Sequence, residues 1–449
     1  MSANSDVADG RDRGSSRSSG AAVDDERVDP SDIRRAVAAA AVGNATEWYD
    51  FGIFSYLTVV LAKVFYPESG LAVVATFATF SVAFVARPLG GMFFGPLGDR
   101  IGRQKVLAIT MLLMAAGTLG IGLLPSYASA GMWAPILLVG CRLVQGFSTG
   151  GEYAGAATFV AEYAPDQRRG FLGSFLELGT LAGYVTGAGL ATGLTLGLGE
   201  GSPALQSWGW RIPFLIAGPL GAVGLYLRYK LEDTPAFRAA SSDSGDRSTP
   251  GLKDSFTRHW RAMLFCIAVL LVFNIADYAI LTYLPEFLGG ELRLGTTTGL
   301  FVVVGVMVLM MMLVNPVGRL SDRVGRRPVL LAACVGFLVL PIPAFLLMRQ
   351  HSLVLVVLGV LIMGLTLVLV LGTMPATLPA LFSTRNRYGT FAIAYNLGTA
   401  LFGGTTPVIM AAAVPAIGTL APAFWIMLGG VVSLIAVYRM EESAGRPLR

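Results

Sequence analysis

GPLGDRIGRQK at 95–105 and NPVGRLSDRVGRRP at 315–328 carry the same core, Asp-Arg-x-Gly-Arg, at positions 223 residues apart. Each follows an apolar run of about 20 residues, long enough to cross about 30 Å of hydrocarbon as a helix. A second pairing joins APDQRRGFLGS (164–174) to STRNRYGTFA (383–392), so the chain reads as one plan used twice. Working outward, apolar runs fall at about 37–63, 71–97, 106–124, 133–160, 171–194, 211–229, 262–288, 298–317, 329–348, 354–381, 390–414 and 421–439, numbered spans 1 to 12. The expected fold is an all-α membrane protein of twelve helices in two six-helix pseudo-symmetric halves. The composition agrees, with 54% hydrophobic and only 14% charged residues. A lipid-facing barrel is excluded because its strands would alternate apolar and polar residues, and these runs are apolar throughout.

The halves are expected at 36–229 and 262–439, joined by a polar linker at 230–261. Residues 1–35, rich in Ser, Gly, Asp and Arg, read as a disordered tail without the apolar core of a signal peptide, and 440–449 as a short C-tail. Orientation follows from Lys and Arg, which collect on cytoplasmic loops. Lys63, Arg211, Arg293 and Arg349 lie on odd-numbered connections and Arg87 and Arg142 within spans; the rest of the 33 lie on the tails and even connections. Both termini are therefore expected in the cytoplasm. The net charge of +5 is a topology signal and gives no reason to expect nucleic acid. Cys141, Cys266 and Cys334 lie within spans, and neither His259 nor His351 adjoins another metal-binding side chain, so neither a disulfide framework nor a metal site is expected. No cofactor, catalytic constellation or obligate protein partner is expected, and without a phosphate-binding G-x-x-x-x-G-K-[ST] loop ATP is not the energy source.

Asp99, Arg100, Gly102 and Arg103, preceded by Gly95 and Leu97, match the loop 2–3 signature of the major facilitator superfamily, which the chain resembles. Gly102 suits a short turn, and the charges can bridge helix ends in one conformation and release them in another. Asp322, Arg323 and Arg326 repeat them in loop 8–9, and all seven are expected to act in conformational gating. VGNATEWYDFGIFSYL (42–57), ARPLGGMFFGPLGDRIGRQK (86–105) and CRLVQGFSTGGEYAGAATFVAEYAPDQRRG (141–170) further resemble the metabolite:proton symporters. WGWRIPF (208–214), LEDTPAF (231–237) and LTYLPEFL (281–288) extend that likeness to bacterial proline and glycine betaine carriers. The resemblance implies a transporter in the bacterial inner membrane that imports a small zwitterionic solute of the proline, glycine betaine or ectoine class with H+ as coupling ion. Carriers of organic acids such as 2-oxoglutarate share the signatures and remain the alternative. Osmosensing relatives carry a long coiled-coil tail, which residues 440–449 do not supply, and this departure leaves tail-mediated osmotic control an open question.

Ionisable side chains within spans cost at least about 2.5 kcal/mol to insert and so point to function. The acids are Glu47 and Asp50 in span 1, Glu152 in span 4, Glu177 in span 5 and Asp277 in span 7, against Arg87 and Arg142 alone. Not all five acids can stay ionised without partners, so some are expected to bind protons; Glu47, Asp50, Glu152 and Asp277 are the candidates. Glu47 and Asp50, three residues apart, could share a proton or pair with an arginine. Arg142, Gln145, Thr149, Glu152 and Tyr153 form a polar stripe on span 4, and Arg142 either receives a substrate carboxylate through its planar fork or holds helices together. Trp48, Tyr153 and Tyr278 could contact a quaternary ammonium or simply fill interfaces, and Gln145 and Asn396 complete the substrate candidates. Arg87 is expected to reach the loop 2–3 charges. Glu177 is open between a gate partner and a proton site, on a span whose Gly179, Gly183 and Gly187 let another helix approach closely.

Overall fold

The computed structural model describes residues 30–67, 71–101, 103–199, 201–229, 252–350, 352–382 and 387–448. Gly102 and the side chains of Asp99, Arg100 and Arg103 lie outside the described residues, as do 1–29 of the expected tail and 230–251 of the expected linker. Every regular element among the described residues is helical. Span 1 is Pro30–Tyr56 continued, after a 67° bend, by Thr58–Phe65. It thus begins inside the stretch expected as tail. Spans 2 and 3 are Ala72–Ile101 and Arg103–Leu123; span 4 is Trp133–Thr149 followed by Glu152–Tyr163; spans 5 and 6 are Arg169–Leu198 and Arg211–Tyr229. Span 7 starts at Leu252, within the expected linker, runs regularly to Asp277 and loosens into π-helical turns over Tyr278–Tyr283 and Phe287–Glu291. Span 8 is Thr296–Val324, and span 9 is Arg326–Val339 and Pro341–Met348, bent by 51° where Pro341 cannot continue the hydrogen-bond ladder. Leu353–Leu371 with Met374–Ala380 makes span 10, Arg387–Gly398 with Thr406–Ile417 span 11, and Ala421–Arg439 span 12.

Among the described residues eight stretches, and ten with the two bent pairs, are long and apolar enough to cross a membrane. The other two of the twelve are span 4, interrupted at Gly150 and Gly151, and span 6, some of whose side chains are outside the described residues. Large apolar side chains such as Leu89, Leu112, Leu123, Phe301, Met312, Val339 and Phe424 are more than half exposed. A water-soluble protein would bury such a belt; lipid tails solvate it. The interior inverts this pattern, with Glu47, Asp50, Arg87, Arg142, Glu177 and Asp277 all at most 1% exposed.

Since lipid is as apolar as a leucine core, close backbone approach replaces hydrophobic drive between the helices. Span 5 lies directly on span 1, as its glycines require: a Cβ at Gly179 would stand 2.2 Å from Ala41 O, and one at Gly183 2.4 Å from Ala45 O. Span 4 lies as tightly on span 2, where a Cβ at Gly150 would meet Arg87 O at 2.2 Å.

The two halves touch at both ends of the molecule. At the loop 8–9 end, Asp322 of span 8 accepts from the backbone N–H groups of Gly170 (2.7 Å) and Phe171 (2.8 Å), the first turn of span 5. A carboxylate there satisfies orphan donors and complements the positive end of the helix dipole. Arg326 lies 4.0 Å from Asp322 and donates to Ala376 O, while Arg323 is exposed. The repeat is visible in atomic detail: Arg169 Nε donates to Ala161 O at 2.9 Å and Arg387 Nε to Pro379 O at 3.0 Å, each reaching back eight residues. Each then crosses to the other half, Arg169 to Arg446 O at 3.1 Å and Arg387 to Glu162 at 3.3 Å. Beyond span 12, burial alone would push the Glu442 carboxyl up, yet N–H groups of Ala444, Arg326, Arg327 and Ser443 hold it below its usual range. It thereby anchors the C-terminal segment to the start of span 9. At the opposite end, Ser55 donates to Thr282 O and Tyr56 to Leu281 O, both at 2.9 Å, and Ser81 donates to Gly404 O.

Candidate functional site

Between these two closed ends lies a buried polar layer. Arg87 Nη2 donates to Glu47 Oε1 at 2.8 Å, and both side chains are about 1% exposed or less. The Arg87 guanidinium lies over the rings of Phe84 (4.6 Å), Phe51 (4.7 Å) and Trp48 (5.8 Å), whose negative faces favour a desolvated cation. Its position follows from the local sequence, because the close approach of spans 2 and 4 at Gly150 sets Arg87 deep in the bundle. It therefore pairs with span 1, while the loop 2–3 charges it was expected to reach lie outside the described residues.

Asp50 turns to other partners. Thr118 of span 3 donates to Asp50 Oδ2 at 2.7 Å and accepts from Gln145 Nε2 at 2.6 Å; Gln145 Oε1 accepts from Arg142 Nη1 at 3.0 Å. Two neutral side chains thus connect a buried base to a buried acid. Glu47 and Asp50, set on diverging directions of one helix, go to separate partners and are not a shared-proton pair in this conformation. The Arg142 guanidinium is covered by Phe54 (4.3 Å), Phe51 (4.9 Å) and Phe80 (5.2 Å) and lies within the first half. The span 4 stripe is therefore divided. Arg142 and Gln145 face spans 1 to 3, while beyond the Gly150–Gly151 break Tyr153 stacks on Tyr395 of the other half at 4.3 Å. Tyr153 also donates to Glu177 Oε1 at 2.5 Å, which ties Glu177 to the Tyr153–Tyr395 stack. Glu152 is buried where span 4 resumes. Asn396 donates to Gly150 O across the interface and to Ala392 O at 2.7 Å.

From the second half, span 7 presents Asn274, Asp277 and Tyr278, the last with its ring 5.8 Å from Trp48 and 5.2 Å from Phe84. Several buried polar atoms of this layer have no hydrogen-bond partner: Asp50 Oδ1, Trp48 Nε1, both amide atoms of Asn274, Asp277 Oδ1, Tyr278 OH and Thr399 Oγ1. Buried orphans cost about 1–3 kcal/mol each, and these retain unused capacity to bond a polar group or water.

A family model described as Major Facilitator Superfamily matches residues 40–407. The chain belongs to that superfamily. Its members are transporters, and this is a multi-pass membrane transporter of small solutes and not an enzyme. The proline/betaine transporter of Escherichia coli strain K12 is 45% identical over 433 residues, 94% of this chain and 86% of that protein. The glycine betaine/proline/ectoine/pipecolic acid transporter OusA of Dickeya dadantii is 42% identical over 95% of this chain and 87% of its own length. The ectoine/proline transporter ProP of Corynebacterium glutamicum is 42% identical over 95% and 88%. Among solved structures, the proton:xylose symporter XylE bound to a bromodeoxyglucose superposes with a TM-score of 0.73 at 18% identity, covering 93% of this chain and 98% of that one. A partially occluded inward-open form of XylE from E. coli gives 0.70 at 18%, with 93% and 100% covered. Both establish the facilitator fold.

Within this transporter, several contributors to the layer had escaped sequence reasoning. Thr118 links Asp50 to Gln145; Asn44 fastens span 1 to span 5 through Leu176 O (2.7 Å) and Thr180 (2.6 Å); Tyr184 shares a hydrogen bond with Thr282 at 3.2 Å. A hydroxyl or amide in an apolar run is common, and only the facing helix reveals its partner. Arg169 and Arg387 did carry a signal, for both lie in the paired loops 4–5 and 10–11.

Proposed function

We propose that the chain is a proton-coupled symporter that imports a small zwitterionic compatible solute, of the class that includes proline, glycine betaine and ectoine, by alternating access of its two halves. The observation that carries this reading is the buried layer itself, in which five acids face two arginines between ends that are both closed by contacts between halves. Glu47 is neutralised by Arg87, and the excess of acids over bases supplies proton sites, for which Asp50, Glu152 and Asp277 are candidates and Glu177 a fourth. A zwitterion adds no net charge to that layer, so solute and proton can cross together. Relatives named for proline, betaine and ectoine transport, aligned over nearly the whole chain, support the substrate class.

In this reading Asp322 and the start of span 5 close the cytoplasmic gate, with Asp99, Arg100, Gly102 and Arg103 as their counterparts in loop 2–3; Arg323 and Arg326 complete it. The termini lie in the cytoplasm, and the membrane is the bacterial inner one. Trp48, Tyr153, Tyr278 and Asn396 line the solute path, and Arg142 with Gln145 holds Asp50 in place, becoming available to a carboxylate only when Phe51 and Phe80 move aside.

The test is uptake of labelled proline, glycine betaine and 2-oxoglutarate by proteoliposomes, with and without an inward proton gradient. Gradient-driven accumulation of a zwitterion is expected. Accumulation of 2-oxoglutarate alone, or of none, would sink the reading.

A further inference from the structure

Asn274, Asp277 and Tyr278 are each at most 1% exposed, and their spacing of three and four residues sets them on one side of span 7. Both amide atoms of Asn274, Asp277 Oδ1 and the Tyr278 hydroxyl have no hydrogen-bond partner, nor have Trp48 Nε1 across the interface and Thr399 Oγ1 on span 11. Tyr278 adjoins Trp48, and the bare Gly403 of span 11 makes room for the pair: a Cβ there would meet Tyr278 at 2.6 Å and Asn274 Oδ1 at 3.2 Å. The group therefore lies where spans 1, 7 and 11 meet. Among the described residues no Lys or Arg is paired with Asp277, whereas Arg87 is matched by Glu47 and Arg142 is engaged with Gln145. A buried carboxyl in this setting either holds a proton or, when ionised, calls for a cation from elsewhere.

The form of that cation follows from what the site offers. Quaternary ammonium groups carry no N–H and are held by aromatic faces. Here Arg87 already lies over Trp48, Phe51 and Phe84 and Arg142 over Phe51, Phe54 and Phe80, Tyr153 and Tyr395 stack on each other, and the Tyr278 ring is packed against Phe84 (5.2 Å) and Trp48 (5.8 Å). What remains is hydrogen-bonding capacity. Asp277 Oδ1 and Asn274 Oδ1 accept, Asn274 Nδ2 and Trp48 Nε1 donate, and Tyr278 can do either.

We propose that Asn274, Asp277 and Tyr278 form a donor–acceptor subsite that selects zwitterions whose cationic nitrogen keeps at least one N–H, a secondary ammonium or a cyclic amidinium, over fully N-alkylated ones. The subsite rests on the symport reading and narrows its substrate class. Asp277 supplies charge and an acceptor, Asn274 a second acceptor, and the donors turn to the solute carboxylate. An N-alkylated solute meets the same charge but leaves both acceptors unpaired in a low dielectric, the situation in which hydrogen-bonding sites discriminate most strongly. Asp277 is then a substrate residue, and coupling falls to the other acids.

The experiment is inhibition of labelled proline counterflow, in proteoliposomes of the full chain, by proline, N-methylproline and N,N-dimethylproline, which share a ring and a carboxylate and lose N–H groups one at a time. Half-inhibitory concentrations are expected to rise stepwise and to differ at least about tenfold between the ends of the series. Asp277→Leu removes both the charge met by every member of the series and the acceptor met only by those with an N–H, so it is expected to weaken proline more than N,N-dimethylproline and to narrow the spread between them. Equal inhibition across the series on the unaltered protein would overturn the subsite while leaving zwitterion symport standing, even if the variant fails to fold. A spread that Asp277→Leu leaves at its full width would remove Asp277 from the subsite. Absence of proline counterflow, with exchange of an organic acid instead, would overturn both.

Discussion

Glu47 and Arg87 form a buried ion pair in the central layer, at 2.8 Å and out of reach of solvent. Breaking such a pair from one side strands a charge, at a cost of about 3–5 kcal/mol, while replacing both members by neutral groups of like volume costs far less. Glu47→Gln is therefore expected to lower the unfolding midpoint in detergent more than Glu47→Gln combined with Arg87→Met; a double variant less stable than the single one would show that the pair is not what holds spans 1 and 2 together. Both are expected to lose uphill uptake. The five acids and two bases were legible in the sequence, because a charge inside an apolar run is conspicuous. Their pairing was not. Glu47 and Asp50 sit three residues apart, yet one faces span 2 and the other span 3, and Thr118, which receives Asp50, looks in sequence like any helix threonine.

At the level of helices, the glycine ladder of span 5 is a feature that tolerates added side chains poorly. A side chain at Gly183 would run into Ala45 O, Tyr49 N and Trp48 C, all backbone, so no rotamer change can relieve it. Gly189, on the same span, has nothing within 4 Å of a Cβ. Gly183→Leu is expected to destabilise by about 1–3 kcal/mol or more and to deplete the folded transporter, while Gly189→Ala is tolerated. Thermal unfolding in detergent checks this, and equal midpoints for the two would contradict the contact. The four-residue glycine spacing made this interface readable in advance, since it serves close helix approach and little else. The bend after Tyr56, the interruption at Gly150 and Gly151 and the π-helical turns of span 7 were not readable. Each leaves hydropathy unchanged, and each depends on neighbours that supply or withhold backbone partners.

For the whole molecule, the paired motifs gave the twofold plan, and Arg169 and Arg387 display it atom by atom. Which surfaces close against each other became visible only with the helices in place. Asp322 capping span 5 is one such closure, and Asp322→Ala is expected to speed hydrogen exchange at Gly170 and Phe171 by at least about tenfold, with the centre of span 1 unaffected. Unchanged exchange there would mean that the cap does not hold the gate. In the proposed symport, solute and proton cross together through the buried layer. Its most direct measurement is the internal pH of proteoliposomes loaded with a trapped indicator, clamped at zero membrane potential and given external proline with no proton gradient. Acidification of the interior on adding proline, absent in vesicles without the protein and lost when the surplus acids are neutralised, is the result expected. Proline entry with no accompanying change in internal pH would contradict it.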